Sequence, residues 1–135
     1  MAVARRRIAP DEGRAALAAW QVAHASSSAA AGAAGQEPGL PLPRGTLATA
    51  VRYSLEEVTA RAPGNSVEVR VPPFGVTQCV EGPRHTRGTP PNVIECDAGT
   101  WLAMVSGQLS WADAVDSGKV AASGLRADLS GLLPL

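Results

Sequence analysis

Aromatic side chains and cysteines are both scarce in this sequence. Aromatic residues account for only 4% of it, although hydrophobic residues as a whole reach 45%. At 135 residues the chain is long enough for one domain with a real core, so alanine and small aliphatic side chains must fill most of that core. The two cysteines, Cys79 and Cys96, are too few for a disulfide framework and indicate reduced thiols.

An excess of charge of either sign is also missing. The sequence has 12 basic and 12 acidic residues, which gives a formal net charge of zero. The electrostatic field of the protein as a whole therefore attracts neither nucleic acid nor an anionic membrane surface. We expect no nucleic-acid partner. The arginines at positions 5–7 lack interleaved aromatic residues, so we expect them to form a solvated tail.

Long hydrophobic runs are absent too. No stretch of about 18 apolar residues occurs, which excludes a transmembrane helix and predicts no integral membrane association. Asp11, Glu12 and Arg14 follow the arginine run at once, and the apolar stretch after them is short. This arrangement argues against a secretion signal, and we expect a cytoplasmic protein.

Residues suited to metal binding or catalysis are few. His24 and His85 are the only histidines, and two cysteines with one histidine do not complete a tetrahedral zinc site. A cysteine nucleophile needs a base held against it, and nothing in the sequence fixes His85 near either thiol. We therefore predict no catalytic residues, no metal site, no cofactor and no enzymatic activity.

The N-terminal part of the chain differs in composition from the rest. Residues 10–24 have helical spacing of apolar side chains, and residues 25–45 are rich in Ala, Gly, Ser and Pro. Such a composition buries little surface and is typical of a linker. We therefore divide the chain into an N-terminal helix with a flexible linker, residues 1–45, and a folded domain, residues 46–135.

The first half of the folded domain combines one helix with several strands. Apolar residues recur at helical spacing from Thr46 to Arg61, and Val67–Val71 alternates with charged residues as a half-buried strand does. Residues 76–81 and 93–96 are predicted to be two further strands. If the polar turn between them is a hairpin, Cys79 and Cys96 become cross-strand neighbours.

In the C-terminal segment, residues typical of helix starts and helix ends stand at the boundaries between the predicted elements. Asp97 and Ser110 are typical helix N-caps, and Gly107 and Gly118 are typical residues for ending those helices. Residues 119–123 then suit a short strand. The remaining leucines, at positions 125, 129, 132 and 133, suggest a terminal helix. Helices and strands in this order predict an α+β fold.

These features resemble a known family. The run WLAMVSGQLSWADAVDSGKVAASG is similar to the C-terminal signature of sterol carrier protein 2-like domains: a helix ending in Ser-Gly, a short helix, Gly-Lys, a strand and a glycine. The resemblance is closer to a small bacterial, actinobacterial-type group with stretches like SVEVRVPPFG and CVEGPRHTRGTPPNVIE. It implies a mostly antiparallel sheet of four to five strands, covered by helices on one face. A lipid-binding hydrophobic cavity between the two layers is implied as well.

The candidate ligand-binding residues lie in two groups. The turn with Arg84, His85 and Arg87 offers cationic side chains and loop N–H groups that suit a carboxylate or phosphate, although the arginines could equally pair with nearby carboxylates and fix the turn. The second group is apolar. Trp101, Met104, Val105 and Trp111 could either line a cavity or fill the core, and Phe74 could either plug a loop or form a lid over the cavity.

Three functional hypotheses remain open at this point. The first is non-catalytic binding of a lipid or another apolar ligand, for example a fatty acyl chain, between helices and sheet. The second is a structural module with a filled core, which docks to a second copy or to another protein. The third is an accessory domain related to mycothiol-dependent isomerase-type enzymes, in which the resemblance implies that metal and chemistry lie in a separate helical bundle.

Overall fold

The computed structural model describes residues 7–31, 42–82 and 92–135. Within these ranges four helices and four strands form an α+β fold, as the sequence predicts. The helices are α1 (Pro10–Ala31), α2 (Arg44–Arg61), α3 (Ala98–Val105) and α4 (Trp111–Asp116). The strands are β1 (Val67–Val71), β2 (Gly75–Cys79), β3 (Asn92–Cys96) and β4 (Val120–Ser123).

The described strands make one open, mixed sheet in the order β2-β1-β3-β4. β1 pairs antiparallel with β2, where Val67 lies opposite Cys79, and parallel with β3, where Val67 lies opposite Asn92. β4 pairs antiparallel with β3. Two of these three pairings are antiparallel, which confirms the predicted mostly antiparallel sheet of four to five strands.

Alternation along β1 separates a buried face of the sheet from an open one. Val67, Val69 and Val71 are fully buried, whereas Arg70 is exposed and pairs with Glu68 on the opposite face. The buried valines belong to one core cluster with side chains of α2 and α3. Successive strand residues point to opposite faces, so α2 and α3 cover the face of the sheet that carries these valines.

The ends of α3 and α4 are where the sequence predicts them. The Asp97 carboxylate accepts a hydrogen bond from Thr100 N at 2.7 Å, and Ser110 Oγ accepts one from Asp113 N at 3.1 Å. Each bond satisfies a backbone N–H group that the first helical turn leaves free. Gly107 and Gly118 follow the two helices with φ of 83° and 76°, a conformation that glycine adopts without steric cost.

Helix α1 is longer than expected and packs on α2. It continues to Ala31, beyond the predicted end at residue 24, and α2 begins at Arg44 instead of Thr46. Residues 32–41 of the predicted linker lie outside the described residues. Gly13 of α1 is buried against the ring of Tyr53 in α2. No helix within the described ranges is long and apolar enough to span a membrane.

The predicted hairpin between β2 and β3 is wrong. β1 lies between these two strands, so Cys79 and Cys96 are not cross-strand neighbours. Cys79 is level with Val67 at the start of β1, whereas Cys96 is level with Val120 at the far end of β3. The alternating sequence correctly predicts which face of each strand is buried, but it carries no information about which strand lies next to which.

Strand β2 ends at Cys79 because the backbone turns at Val80. Val80 has a φ of 65°, which is rare for a β-branched residue. Hydrogen bonds hold it on both sides: Val80 N donates to Ala62 O at 2.7 Å, and Val80 O accepts from Ser66 N at 3.0 Å. Gly64 packs directly on this turn, since a Cβ atom at Gly64 would overlap the Val80 carbonyl group.

The predicted terminal helix is also wrong. Residues 124–135 form a chain of turns, in which Leu129 is buried and Leu125 is fully exposed. Ser130 N donates to the Asp128 carboxylate at 2.8 Å, a bond that lowers the pKa of this carboxyl group. Gly124, Gly131 and Pro134 disfavour a helix here, although the spacing of the leucines imitates one.

Candidate ligand-binding site

The layer between α3 and the sheet holds three of the predicted ligand-binding residues. Trp101, Met104 and Val105 lie on α3 and are buried, with at most 1% of each residue exposed. They share the core cluster with Ile94 and with the valines of β1. The structure therefore brings these residues together, but as closely packed core side chains.

Trp101 has a polar partner within this layer. Its indole Nε1 donates to Ser54 Oγ of α2 at 2.8 Å, and Ser54 Oγ in turn donates to Val51 O at 2.8 Å. Both side chains are fully buried. A buried indole N–H needs such an acceptor, so the serine at position 54 fixes the position of the tryptophan ring.

Trp111 and Phe74 lie at the periphery of the core. Trp111 is the first residue of α4 and is half-buried against the core cluster. Phe74 lies in the turn between β1 and β2, also half-buried, and the guanidinium of Arg44 is placed over its ring at 5.3 Å from the centroid. This is within the distance of a cation–π contact.

A groove of about 380 Å³ opens beside Phe74, between α2 and the β1–β2 turn. Leu55 of α2 lies at its base and is only 3% exposed, and Ile8 and Val76 add further apolar surface. Arg7, Arg52 and Glu56 supply polar groups. Its volume is near the lower end of the range for small-molecule sites, roughly 300–1,000 Å³.

Hydrogen bonds fix the walls of this groove. Arg52 Nε donates to Phe74 O at 2.9 Å and so joins α2 to the β1–β2 turn. The Glu56 carboxylate accepts from Arg7 N at 3.0 Å and from Ile8 N at 3.1 Å. These bonds hold the segment before α1 against α2, so that residues distant in sequence share one groove.

Sequence reasoning identifies Phe74 but misses its neighbours in the groove. Arg52 and Glu56 lie off the apolar stripe of α2, where a charged side chain normally indicates only solvent exposure. Arg7 belongs to the arginine run that the sequence assigns to a solvated tail, and Ile8 follows it directly. Their positions follow from tertiary contacts, and no local pattern marks them.

A second groove, of about 570 Å³, lies between α1 and the start of α2. Its lining is mostly small, with Ala15 and Ala16 from α1 and Gly45, Thr46 and Thr49 from α2. Glu12 is its one ionisable lining residue. Neither this groove nor the one beside Phe74 is lined by Trp101, Met104, Val105 or Trp111.

The cationic turn with Arg84, His85 and Arg87 lies outside the described residues, but the residues that flank it form a compact network. The Asn92 side chain is buried, donates to Ser66 O at 2.8 Å and accepts from Arg126 N at 2.8 Å. Arg126 Nη1 also reaches Glu81 O at 3.5 Å. This network joins the end of β2, the start of β3 and the C-terminal turns.

Both cysteines are unsuited to chemistry in the folded protein. They are free thiols buried in the core, and burial raises the pKa of Cys79 to about 11. Burial, with a smaller contribution from the Asp97 and Glu95 carboxylates, raises the pKa of Cys96 to about 12. A protonated, buried thiol is a poor nucleophile and a poor metal ligand. Within the described ranges no group of three or more His, Cys, Asp or Glu residues is placed to hold a metal ion.

Comparison with known proteins identifies the family. No curated protein matches the chain at a significant level. A family model described as "Bacterial SCP ortholog" matches residues 43–135, from the residue before α2 to the last residue of the chain. Since this match spans more than half of the sequence, the protein belongs to the bacterial SCP ortholog family, a bacterial group of proteins related to sterol carrier protein.

Proposed function

We propose that this protein binds one lipid or other apolar ligand, for example a fatty acyl chain, in the cytoplasm and catalyses no reaction. The observation that supports this proposal is the match of residues 43–135 to a sterol-carrier-like family. The formal net charge of zero and the buried, unreactive thiols are compatible with a carrier.

The proposed position of the ligand is the layer between helices and sheet, against Trp101, Met104 and Val105. These side chains are packed, so a ligand has to displace some of them. Met104 can move at the lowest cost because its unbranched side chain adopts several shapes. Trp111 and Phe74, both half-buried, flank this layer, and Arg84, His85 and Arg87 are the sequence-predicted candidates for holding a polar head group.

The direct test is native mass spectrometry of the purified protein, before and after lipid extraction, followed by addition of a fatty acid. We expect a one-to-one adduct whose mass identifies the ligand. Met104→Ile stiffens the proposed cavity wall, because a β-branched side chain has one preferred rotamer in a helix, and it should weaken binding. Met104→Leu is the matched control and should bind as the native protein does.

The head-group part of the proposal needs a separate comparison. If the turn with Arg84 and Arg87 holds the head group, Arg84→Ala combined with Arg87→Ala should weaken binding of a fatty acid and leave binding of its methyl ester unchanged. Unchanged binding of both would place the head group elsewhere. Failure of the native protein to bind fatty acid, sterol or phospholipid would overturn the carrier function as a whole.

A second candidate function is a structural or protein-interaction module. The complete burial of Trp101 and Leu102 favours it, because a filled core needs no ligand for stability. In this case the exposed sheet face or the proline-rich residues 38–43 would contact a second copy of the chain or another protein. Sedimentation equilibrium over a range of concentrations should then show self-association, with no lipid bound.

A further inference from the structure

The groove beside Phe74 combines an apolar base with an unusual concentration of arginine. Arg7 and Arg52 line it, and Arg44 lies over the Phe74 ring at its edge. Of the other described arginines, three pair with carboxylates, Arg14 with Asp11, Arg61 with Glu57 and Arg70 with Glu68, and Arg126 donates to the backbone oxygen of Glu81. Arg7, Arg44 and Arg52 have no such ion pair in the part of the chain that the structure describes.

The positive charge of this groove is only partly compensated. Glu56 is the one carboxylate in its lining, and its oxygens accept hydrogen bonds from the backbone N–H groups of Arg7 and Ile8. The lining has two arginines and the edge has a third, so three positive charges stand against this single carboxylate. The groove therefore presents a net positive rim above the apolar surface of Leu55 and Ile8.

Arg52 is held in a suitable position for an anion. Its Nε donates to Phe74 O at 2.9 Å, which fixes the side chain against the β1–β2 turn and leaves both Nη nitrogens for another acceptor. A fixed guanidinium binds carboxylate or phosphate oxygens through paired hydrogen bonds. Arg7 lines the same groove and is exposed, which allows its side chain to contact the same anion.

We propose that this groove binds the anionic head group of a single-chain amphiphile, with the first carbons of its alkyl chain lying on Leu55 and Ile8. The shared chemistry is a carboxylate or phosphate attached to an aliphatic chain. The small volume of the groove, about 380 Å³, favours one chain over a two-chain or polycyclic lipid. The alkyl part of this inference rests on the proposed lipid-binding function.

The site joins two parts of the chain that differ in their relation to the family. Arg52, Leu55 and Phe74 lie within residues 43–135, the range of the family match, whereas Arg7 and Ile8 precede it. Glu56 connects them through its two backbone hydrogen bonds. The proposed site therefore depends in part on a segment that lies outside the range of the family match.

The test compares a fatty acid, its methyl ester and the alkyl phosphate of the same chain length by isothermal titration with the full-length protein. The native protein should bind the acid and the phosphate at least about tenfold more tightly than the ester. Arg7→Gln combined with Arg52→Gln should abolish this difference and leave ester binding unchanged. Arg14→Gln, which removes an exposed arginine on α1 that pairs with Asp11, is the matched control and should keep the preference.

The results of these titrations distinguish failure of the head-group site from failure of the carrier function. A native protein that binds the acid and the ester equally would overturn the head-group site but not the carrier function. Loss of the acid preference in Arg84→Ala/Arg87→Ala, with Arg7→Gln/Arg52→Gln unaffected, would place the head group elsewhere and overturn the site. Binding of neither acid nor ester would overturn the head-group site, and it would overturn the carrier function only if sterol and phospholipid do not bind either. Equally tight binding of an acidic peptide without an alkyl chain would exclude an amphiphile. Thermal unfolding of each variant tests whether it is folded, which is expected for the substitutions at the exposed Arg7, Arg14 and Arg52.

Discussion

The indole Nε1 of Trp101 and the Oγ of Ser54 form a hydrogen bond of 2.8 Å in the fully buried layer between α3 and α2. Among the described residues, Trp101 is the largest fully buried side chain, in a protein that has few aromatic residues. The bond gives this ring one orientation and connects the two helices that cover the sheet. The packing of the helix layer therefore depends on one serine.

Replacing Ser54 with Ala should destabilise the protein by about 1–3 kcal/mol, because it leaves the Trp101 N–H group buried without an acceptor. Denaturation in urea, followed by tryptophan fluorescence, measures the change. Ser123→Ala is the control, since Ser123 is exposed in β4 and should change the free energy of unfolding by less than about 0.5 kcal/mol. Equal stability of the two variants would contradict the role given to this bond.

Gly13→Ala should separate α1 from α2. A Cβ atom at Gly13 would overlap the ring of Tyr53, and Tyr53 is itself buried, so the helices must move apart. We expect a loss of about 1–3 kcal/mol, as for other overpacked interior sites. Gly45→Ala is the matched control, because no atom lies within 4 Å of its added Cβ and alanine favours the helix. It should have no effect or raise the melting temperature.

Asn92→Ala should loosen the C-terminal turns. The buried Asn92 side chain is bonded to Ser66 O and to Arg126 N, and alanine leaves both backbone groups without their partner. The expected cost is about 2 kcal/mol or more, with faster amide exchange at Arg126 measured by NMR. Asn65→Ala serves as the comparison, since Asn65 is exposed and its side chain hydrogen-bonds to the Gln78 side chain. If Arg126 exchanges equally fast in both variants, Asn92 does not anchor these turns.

Alkaline pH should destabilise the fold through its two buried thiols. Burial raises the pKa of Cys79 to about 11 and that of Cys96 to about 12, above the usual value of 9.0. The unfolded chain therefore loses these protons first as the pH rises. The stabilisation is complete below about pH 9 and decreases up to pH 11–12, by at most about 1.4 kcal/mol per pH unit for each thiol.

Urea denaturation at several pH values between 8 and about 11 measures this dependence. The variant Cys79→Ala/Cys96→Ala will be less stable at pH 8, because it lacks two buried side chains. Its free energy of unfolding should nevertheless decrease less steeply with pH than that of the native protein. Parallel curves for the two proteins would show that the thiols do not contribute.

The sequence predicts local structure well in this protein. The Asp97 and Ser110 caps and the two glycines after α3 and α4 are confirmed, because each depends on hydrogen bonds or dihedral angles within a few residues. The alternation in β1 likewise predicts which side chains face the helices. The α+β class follows from the order of these elements.

Relationships between distant residues could not be predicted in the same way. The position of β1 between β2 and β3 depends on how the whole chain packs, and the sequence of each strand is equally compatible with a hairpin. The leucines at the C-terminus have helical spacing, yet Gly124, Gly131 and Pro134 favour turns there. The groove beside Phe74 requires the Glu56 contacts with Arg7 and Ile8, which are 49 and 48 residues away in sequence.

The central place of β1 has a consequence for the order in which the sheet assembles. The β1–β2 pairing closes over a turn of three residues, so it costs little chain entropy and can form early. The β1–β3 pairing must close a longer loop. In sequence α3 and α4 separate β3 from β4, so these two strands can pair only after both helices have folded. We therefore expect amide protection during refolding to appear first in β1 and β2 and last in the edge strand β4.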